Sequence, residues 1–143
     1  MSTYNIHCAC NTVELTLSGE PKVKAYCHCI DCRELMNTPF APVTAWTEES
    51  VSITKGEDSV TIYQHPTLRM RKYFCSSCGE VLFNSNCVDW RVVPQLLIAK
   101  SYDNQLPEEL ASIAHIFYEQ RIVSVSDDLP KHTRGFSSPV FEE

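Results

Sequence analysis

The sequence predicts a mainly β protein built around thiolate metal sites, and three observations lead there. Short apolar runs of period two recur along the chain, turn-forming residues separate them, and seven of the eight cysteines fall in three tight clusters. No internal repeat, low-complexity tract or linker divides the 143 residues, so residues 1–143 are expected to form one domain.

Val13, Leu15 and Leu17 alternate with Glu14 and Thr16, the pattern of a strand with one buried face. Residues 23–26, 41–46, 51–54, 60–63, 68–74, 81–84 and 96–99 read as further strands. Turn signals stand at Ser18-Gly19-Glu20-Pro21, Lys55-Gly56-Glu57-Asp58 and Cys78-Gly79. Behind Pro107, Leu110, Ile113, Ala114 and Phe117 have helical spacing, which predicts a short helix near 107–113. The β-branched and aromatic stretch His115-Ile116-Phe117-Tyr118 predicts that this helix stops early and a strand follows. From Asp127 the chain turns polar, with Pro130, Gly135 and Pro139, and is expected to be irregular and partly mobile.

Composition narrows the function. The chain is 43% hydrophobic and 21% charged, as in a globular protein able to bury a core without cross-links. Twelve Lys and Arg against eighteen Asp and Glu give a net charge of −6, which repels a phosphate backbone and argues against nucleic acid as partner. The longest apolar run, Leu96-Leu97-Ile98-Ala99, is too short to cross a membrane. The start, Met1 to His7, has neither the basic nor the apolar part of a secretory leader, so a cytoplasmic location is expected. In a reducing compartment, clustered cysteines point to metal or redox chemistry before disulfides.

The clusters are Cys8-Ala9-Cys10, Cys27-His28-Cys29-Ile30-Asp31-Cys32 and Cys75-Ser76-Ser77-Cys78, with Cys87 apart. Cysteines two residues apart close a strained disulfide ring, but their thiolates suit the edges of a tetrahedral zinc site, about 3.8 Å long. Zinc, two per chain, is the expected cofactor. The economical division joins Cys8, Cys10, Cys75 and Cys78 into a closed structural site and leaves Cys27, Cys29 and Cys32 with a vacant fourth position, the mark of a catalytic zinc. Three thiolates leave that metal with net charge −1, a poor activator of water. Such a site is better suited to holding an external thiol as a nucleophile at neutral pH, with a small carbonyl as its electrophile.

Other residues have plainer readings. His28 is expected to face solvent or a backbone carbonyl, with a ligand or acid–base role as the alternative. A fourth ligand among His28, Asp31, His65 and His115 would close the second site. Cys87 reads as a small buried hydrophobe, and Phe40 and Trp46 as core that also has the option of walling the open site. Arg69, Arg71 and Lys72 read as a solvated strand face able to attract an anionic substrate.

This ordered constellation resembles the glutathione-dependent formaldehyde-activating enzyme family, which includes the centromere protein V domain. The resemblance rests on Cys8-Ala9-Cys10, Cys27-His28-Cys29 with Cys32-Arg33, Phe74 to Gly79, His115-Ile116-Phe117 and Asp127 to Pro130, and covers about residues 4–131. It implies a zinc-bearing β-tent of two or three small antiparallel sheets, with a structural zinc on Cys8, Cys10, Cys75 and Cys78 and a catalytic zinc on Cys27, Cys29 and Cys32. The implied activity is a reversible carbon–sulfur lyase reaction joining glutathione and formaldehyde as S-(hydroxymethyl)glutathione, with a small-molecule thiol and aldehyde as partners. The sequence departs from the family at Asn11, where glycine is usual, and over residues 34–39, which lack a common glycine. Two rivals remain: a non-catalytic zinc-binding interaction module of the same fold, and a redox reductase using Cys75 with Cys78, or Cys87.

Overall fold

A computed structural model describes residues 2–141 and is mainly β, with ten strands in two sheets. The strands are β1 (Thr3–His7), β2 (Glu14–Ser18), β3 (Val23–Cys27), β4 (Ala41–Trp46), β5 (Val51–Lys55), β6 (Val60–Gln64), β7 (Arg71–Cys75), β8 (Val81–Ser85), β9 (Arg91–Pro94) and β10 (His115–Ile116). A three-stranded sheet has the order β1-β2-β5, and a seven-stranded sheet the order β10-β3-β4-β9-β8-β7-β6. Neighbours pair antiparallel except β10, which lies parallel to β3 with Ile116 opposite Cys27. The larger sheet therefore exceeds the small antiparallel sheets expected and is not purely antiparallel.

Alternation explains where the core sits. Tyr4, Ile6, Leu15, Leu17 and Val51 of the small sheet pack with Trp46, Leu82, Phe83 and Val93 of the large one, so the main core lies between the two sheets. Strand β4 is buried on both faces: Trp46 faces this core, while Ala41, Val43 and Ala45 join Ala25, Cys27, Val92 and Ile116 in a second cluster. The buried Trp46 indole donates to Thr44 Oγ1 at 2.8 Å, and Thr44 donates to the Val93 carbonyl at 2.9 Å, so these polar groups are satisfied inside the core.

Several elements correct the sequence reading. Residues 96–99 belong to a helix, α2 (Gln95–Lys100), following α1 (Ile30–Met36) in chain order. A four-residue apolar run does not distinguish a strand from one buried helical turn, and here Leu97 and Ile98 are both buried while Leu96 is exposed. The helix expected near 107–113 shrinks to one 3₁₀ turn, Glu108–Leu110. Beyond it the Ile113 amide bonds to the Lys24 carbonyl, so the edge of β3 draws the chain into the extended β10 that the β-branched residues predicted. Helix α1, and strands β1 and β9, had no counterpart in the sequence reading. The strand read over 68–74 begins only at Arg71.

Two turns show why particular residues stand where they do. Gly56 has φ +76°, and a Cβ there would meet the Thr12 carbonyl oxygen at 2.1 Å, so only glycine fits the crossing over the Cys10–Val13 loop. Asn11 and Asn37, in the segments where the family's glycines are missing, have φ of 63° and 52°, a left-handed conformation that asparagine tolerates. The tail is irregular as expected, but it is pinned: residue 131 bridges to His115, and Phe141 packs edge-on against Tyr118.

Candidate metal and active site

The fold brings the cysteines into two groups, and in each the sulfur atoms lie within 4.8 Å of one another. In the first, the turn after β1 and the turn after β7 face each other. Cys8 Sγ is 3.6 Å from Cys10 Sγ, and Cys10 Sγ is 3.7 Å from Cys75 Sγ, with Cys78 completing the group. Cys8 and Cys75 are buried, whereas Cys10 and Cys78 are exposed. Burial pushes the Cys8 thiol up, while hydrogen bonding to Thr12 brings Cys10 down to about 6.

The second group forms where a strand hands over to a helix. Cys27 ends β3, Cys29 is the N-cap of α1, and Cys32 lies in the first helical turn. The Cys29 sulfur accepts from the Cys32 amide at 3.2 Å and from the Cys27 thiol at 3.4 Å. These donors favour a Cys29 thiolate: the bond from Cys27 holds Cys29 down at about 3, while the same bond pushes Cys27 up to about 12.

Sulfur spacings of 3.4 to 3.7 Å are far too long for disulfides yet close to the edge of a zinc tetrahedron, about 3.8 Å. Both groups can hold a metal ion. Four sulfurs can complete a coordination sphere; three cannot. Among the described residues no histidine, aspartate or glutamate joins the three-sulfur group. His65 bonds to Glu34 at 3.2 Å, and the His28 and His115 rings bond to each other at 2.9 Å.

His28 differs most from expectation, since it is fully buried rather than facing solvent. His115 Nε2 lies 2.7 Å from Asp127 Oδ2, and a carboxylate can only accept, so His115 donates there and accepts from His28 Nε2 at Nδ1. Burial, then the neighbouring His115, bring His28 down to about 4 and keep its ring neutral. The His28 amide also donates to the Ile116 carbonyl, and Arg33 Nε to the His28 carbonyl. This buried chain clamps the residue between Cys27 and Cys29. Its partners lie 87 positions apart, so spacing gave no sign of it, although both fall in stretches that carry the family resemblance.

Asp127 supplies a test of the clamp. Burial acts upward on its carboxyl, but hydrogen bonds from Lys131 and His115 outweigh it and hold it at about 2. A folded-state value below the unfolded one, about 3.9, gives stability that is present above about pH 4 and lost as pH falls to 2. Asp127→Asn is expected to flatten the acid-unfolding profile across that window, measured by circular dichroism. An unchanged profile would show that the carboxylate has no hold on the fold.

A cavity of about 580 Å³ opens on the three sulfurs. Its walls come from β3, β4 and β9, from Trp90, and from Phe136 in the tail. Phe40 and Trp46 do not line it: Phe40 stacks on His28, and Trp46 lies in the main core. Cys87 is exposed at the cavity rather than buried, because the turn before β9 places it outside the core. Arg69 and Asn86 line both this cavity and an adjoining polar recess of about 280 Å³ that also holds Arg71 and Arg91. Lys72, from the same predicted charged face, instead bonds to the Leu35 carbonyl.

Residues 3–120 match the family described as glutathione-dependent formaldehyde-activating enzyme. A protein of Talaromyces marneffei whose name carries the same description is 30% identical over 77 residues, 54% of this chain. The match spans 41% of that relative's own length. A crystal structure of a Rhodobacter sphaeroides protein is similar at TM-score 0.50 and 20% identity, over 65% of this chain and 85% of that one, which shows a shared fold. Among the described residues no helix is long and apolar enough to cross a membrane.

Proposed function

The chain belongs to the glutathione-dependent formaldehyde-activating enzyme family, and on that premise we propose that it is a zinc-dependent carbon–sulfur lyase joining a thiol such as glutathione to formaldehyde or a related small carbonyl. One observation carries the reading: Cys27, Cys29 and Cys32 converge at a cavity, and among the described residues no fourth donor atom lies within 4.8 Å of all three sulfurs. Cys8, Cys10, Cys75 and Cys78 would hold a structural zinc. A zinc ion on the three-sulfur group would supply a fourth coordination position, and a visiting thiol bound there would be held as thiolate near neutral pH.

The protein's own part is positional. Cys27, Cys29 and Cys32 fix where the thiol sulfur sits, and the cavity walls exclude water and hold the carbonyl carbon at about 3–3.5 Å from it. A carbon–sulfur bond forms as the carbonyl π bond breaks, and the proton lost by the thiol ends on the former carbonyl oxygen. The His28 ring does not line the cavity, so that proton travels through solvent at the cavity mouth. A redox role for Cys75 and Cys78 is disfavoured because both belong to the four-sulfur group.

Arg69 stands where the cavity meets the arginine-bearing recess, in place to receive the carboxylates of glutathione. Arg69→Gln is expected to raise KM for glutathione about tenfold with a smaller change for 2-mercaptoethanol, which has no carboxylate. Equal changes for both thiols would remove this role. The reading as a whole is tested by metal analysis, with two zinc ions per chain expected, and by the loss of free formaldehyde with glutathione. Equal rates with and without protein would overturn it; two metals with no response to thiol would favour an interaction module.

A further inference from the structure

The cavity is far larger than formaldehyde requires. Its volume, about 580 Å³, falls in the range that encloses drug-sized ligands. Val23, Val43, Ala45, Val92, Trp90 and Phe136 make its walls mainly apolar. The charged side chains that reach it, Lys22, Asp31 and Arg69, are exposed and belong to the rim. A polar peptide laid against the apolar walls would lose its hydrogen bonds to water without replacement, whereas a hydrocarbon would gain from burial.

One buried polar group interrupts this lining. Asn84, only 4% exposed, lines the cavity from β8, and its Nδ2 has no hydrogen-bond partner among the described residues. A buried amide donor without a partner is costly unless a ligand completes it, and no protein bond at Nδ2 resists turning the amide toward an oxygen in the cavity.

We propose that the carbonyl substrate carries an apolar substituent of branched-alkyl or aryl size, with its oxygen on the Asn84 amide and its substituent against Val23, Val92, Trp90 and Phe136. This rests on the reaction proposed above and specifies its carbonyl partner. Addition of the thiol to such an aldehyde balances as for formaldehyde: the carbon–sulfur bond replaces the carbonyl π bond, and the thiol proton moves to oxygen. Charge developing on that oxygen would find the Asn84 donor in a dry, apolar setting, where a hydrogen bond is strongest.

Benzamide and formamide, unreactive mimics of an aryl aldehyde and of formaldehyde, separate the possibilities through tryptophan fluorescence of the full chain. Trp90→Phe identifies the part of the signal that comes from the cavity, since Trp46 is buried in the main core. Benzamide is expected to bind about 10- to 100-fold more tightly than formamide. Asn84→Leu should weaken benzamide about tenfold while leaving Tm unchanged or raised, because the donor removed has no partner among the described residues. Equal affinities, no saturable change, or wild-type benzamide binding by Asn84→Leu would overturn the proposal. The same samples, supplied with glutathione, show whether benzaldehyde or formaldehyde is consumed. Selective benzamide binding with neither aldehyde consumed would remove the proposed reaction while upholding the ligand assigned to the cavity.

Discussion

Cys78→Ser is expected to leave little folded protein. Cys78 is exposed, so the substitution removes almost no buried surface, and the expected effect acts through the zinc proposed to be held with Cys8, Cys10 and Cys75. A metal on these four cysteines would join the turn after β1 to the turn after β7, and therefore one sheet to the other. A structural zinc contributes about 10 kcal/mol or more to folding, comparable to the whole stability of an ordinary domain, about 5–15 kcal/mol. The expected outcome is insoluble protein, or soluble protein with no cooperative melting transition. Cys78→His, which restores a ligand that zinc accepts, should recover folded protein in part. Folded Cys78→Ser with two zinc ions per chain would contradict the structural site.

Cys29→Ser is expected to do the reverse, keeping the fold and abolishing the reaction. Serine is a preferred N-cap, so the hydroxyl can take over the bond from the Cys32 amide and hold α1 in place. The thiolate at the centre of the three-sulfur group is lost, and with it the metal geometry. Turnover of glutathione and formaldehyde should fall more than about 100-fold, with Tm within a few degrees of wild type and zinc content reduced toward one per chain. A Cys29→Ser protein that retains full activity would show that the three cysteines are not the reaction centre.

These two substitutions act differently because the groups sit in different parts of the fold. The four-sulfur group ties together turns that belong to different sheets, whereas the three-sulfur group spans six consecutive residues at the end of one strand and the start of one helix. Losing a ligand from the first releases long-range contacts; losing one from the second changes only a local loop that the His28–His115–Asp127 chain continues to hold.

Much of this was legible before the fold. Strand β4 matches the run read over residues 41–46 end to end, because all but Pro42 are buried and its apolar residues pack into both clusters. The two cysteine groupings were also legible, since residues two or three apart have a short, nearly constant reach that suits a tetrahedral ion. Helix α1 was hidden because only Leu35 in it is buried, so it carries no apolar period, and its N-cap is cysteine rather than one of the usual capping residues. Residues 96–99 were misread because the choice between strand and helix there depends on what packs against Leu97 and Ile98, which is the main core.

The sequence by itself determined the kind of donor atom, the local spacing of the sulfurs and the β-rich framework, because each follows from residue type and from backbone geometry over a few positions. The tertiary structure alone decided that no histidine or carboxylate among the described residues joins the three-sulfur group, that His28 is buried against His115, and that an apolar cavity with the Asn84 amide in its wall lies beside the sulfurs. Those features depend on which distant side chains packing brings within a few ångströms and which it holds away, a property of the whole folded chain that no short stretch of it records.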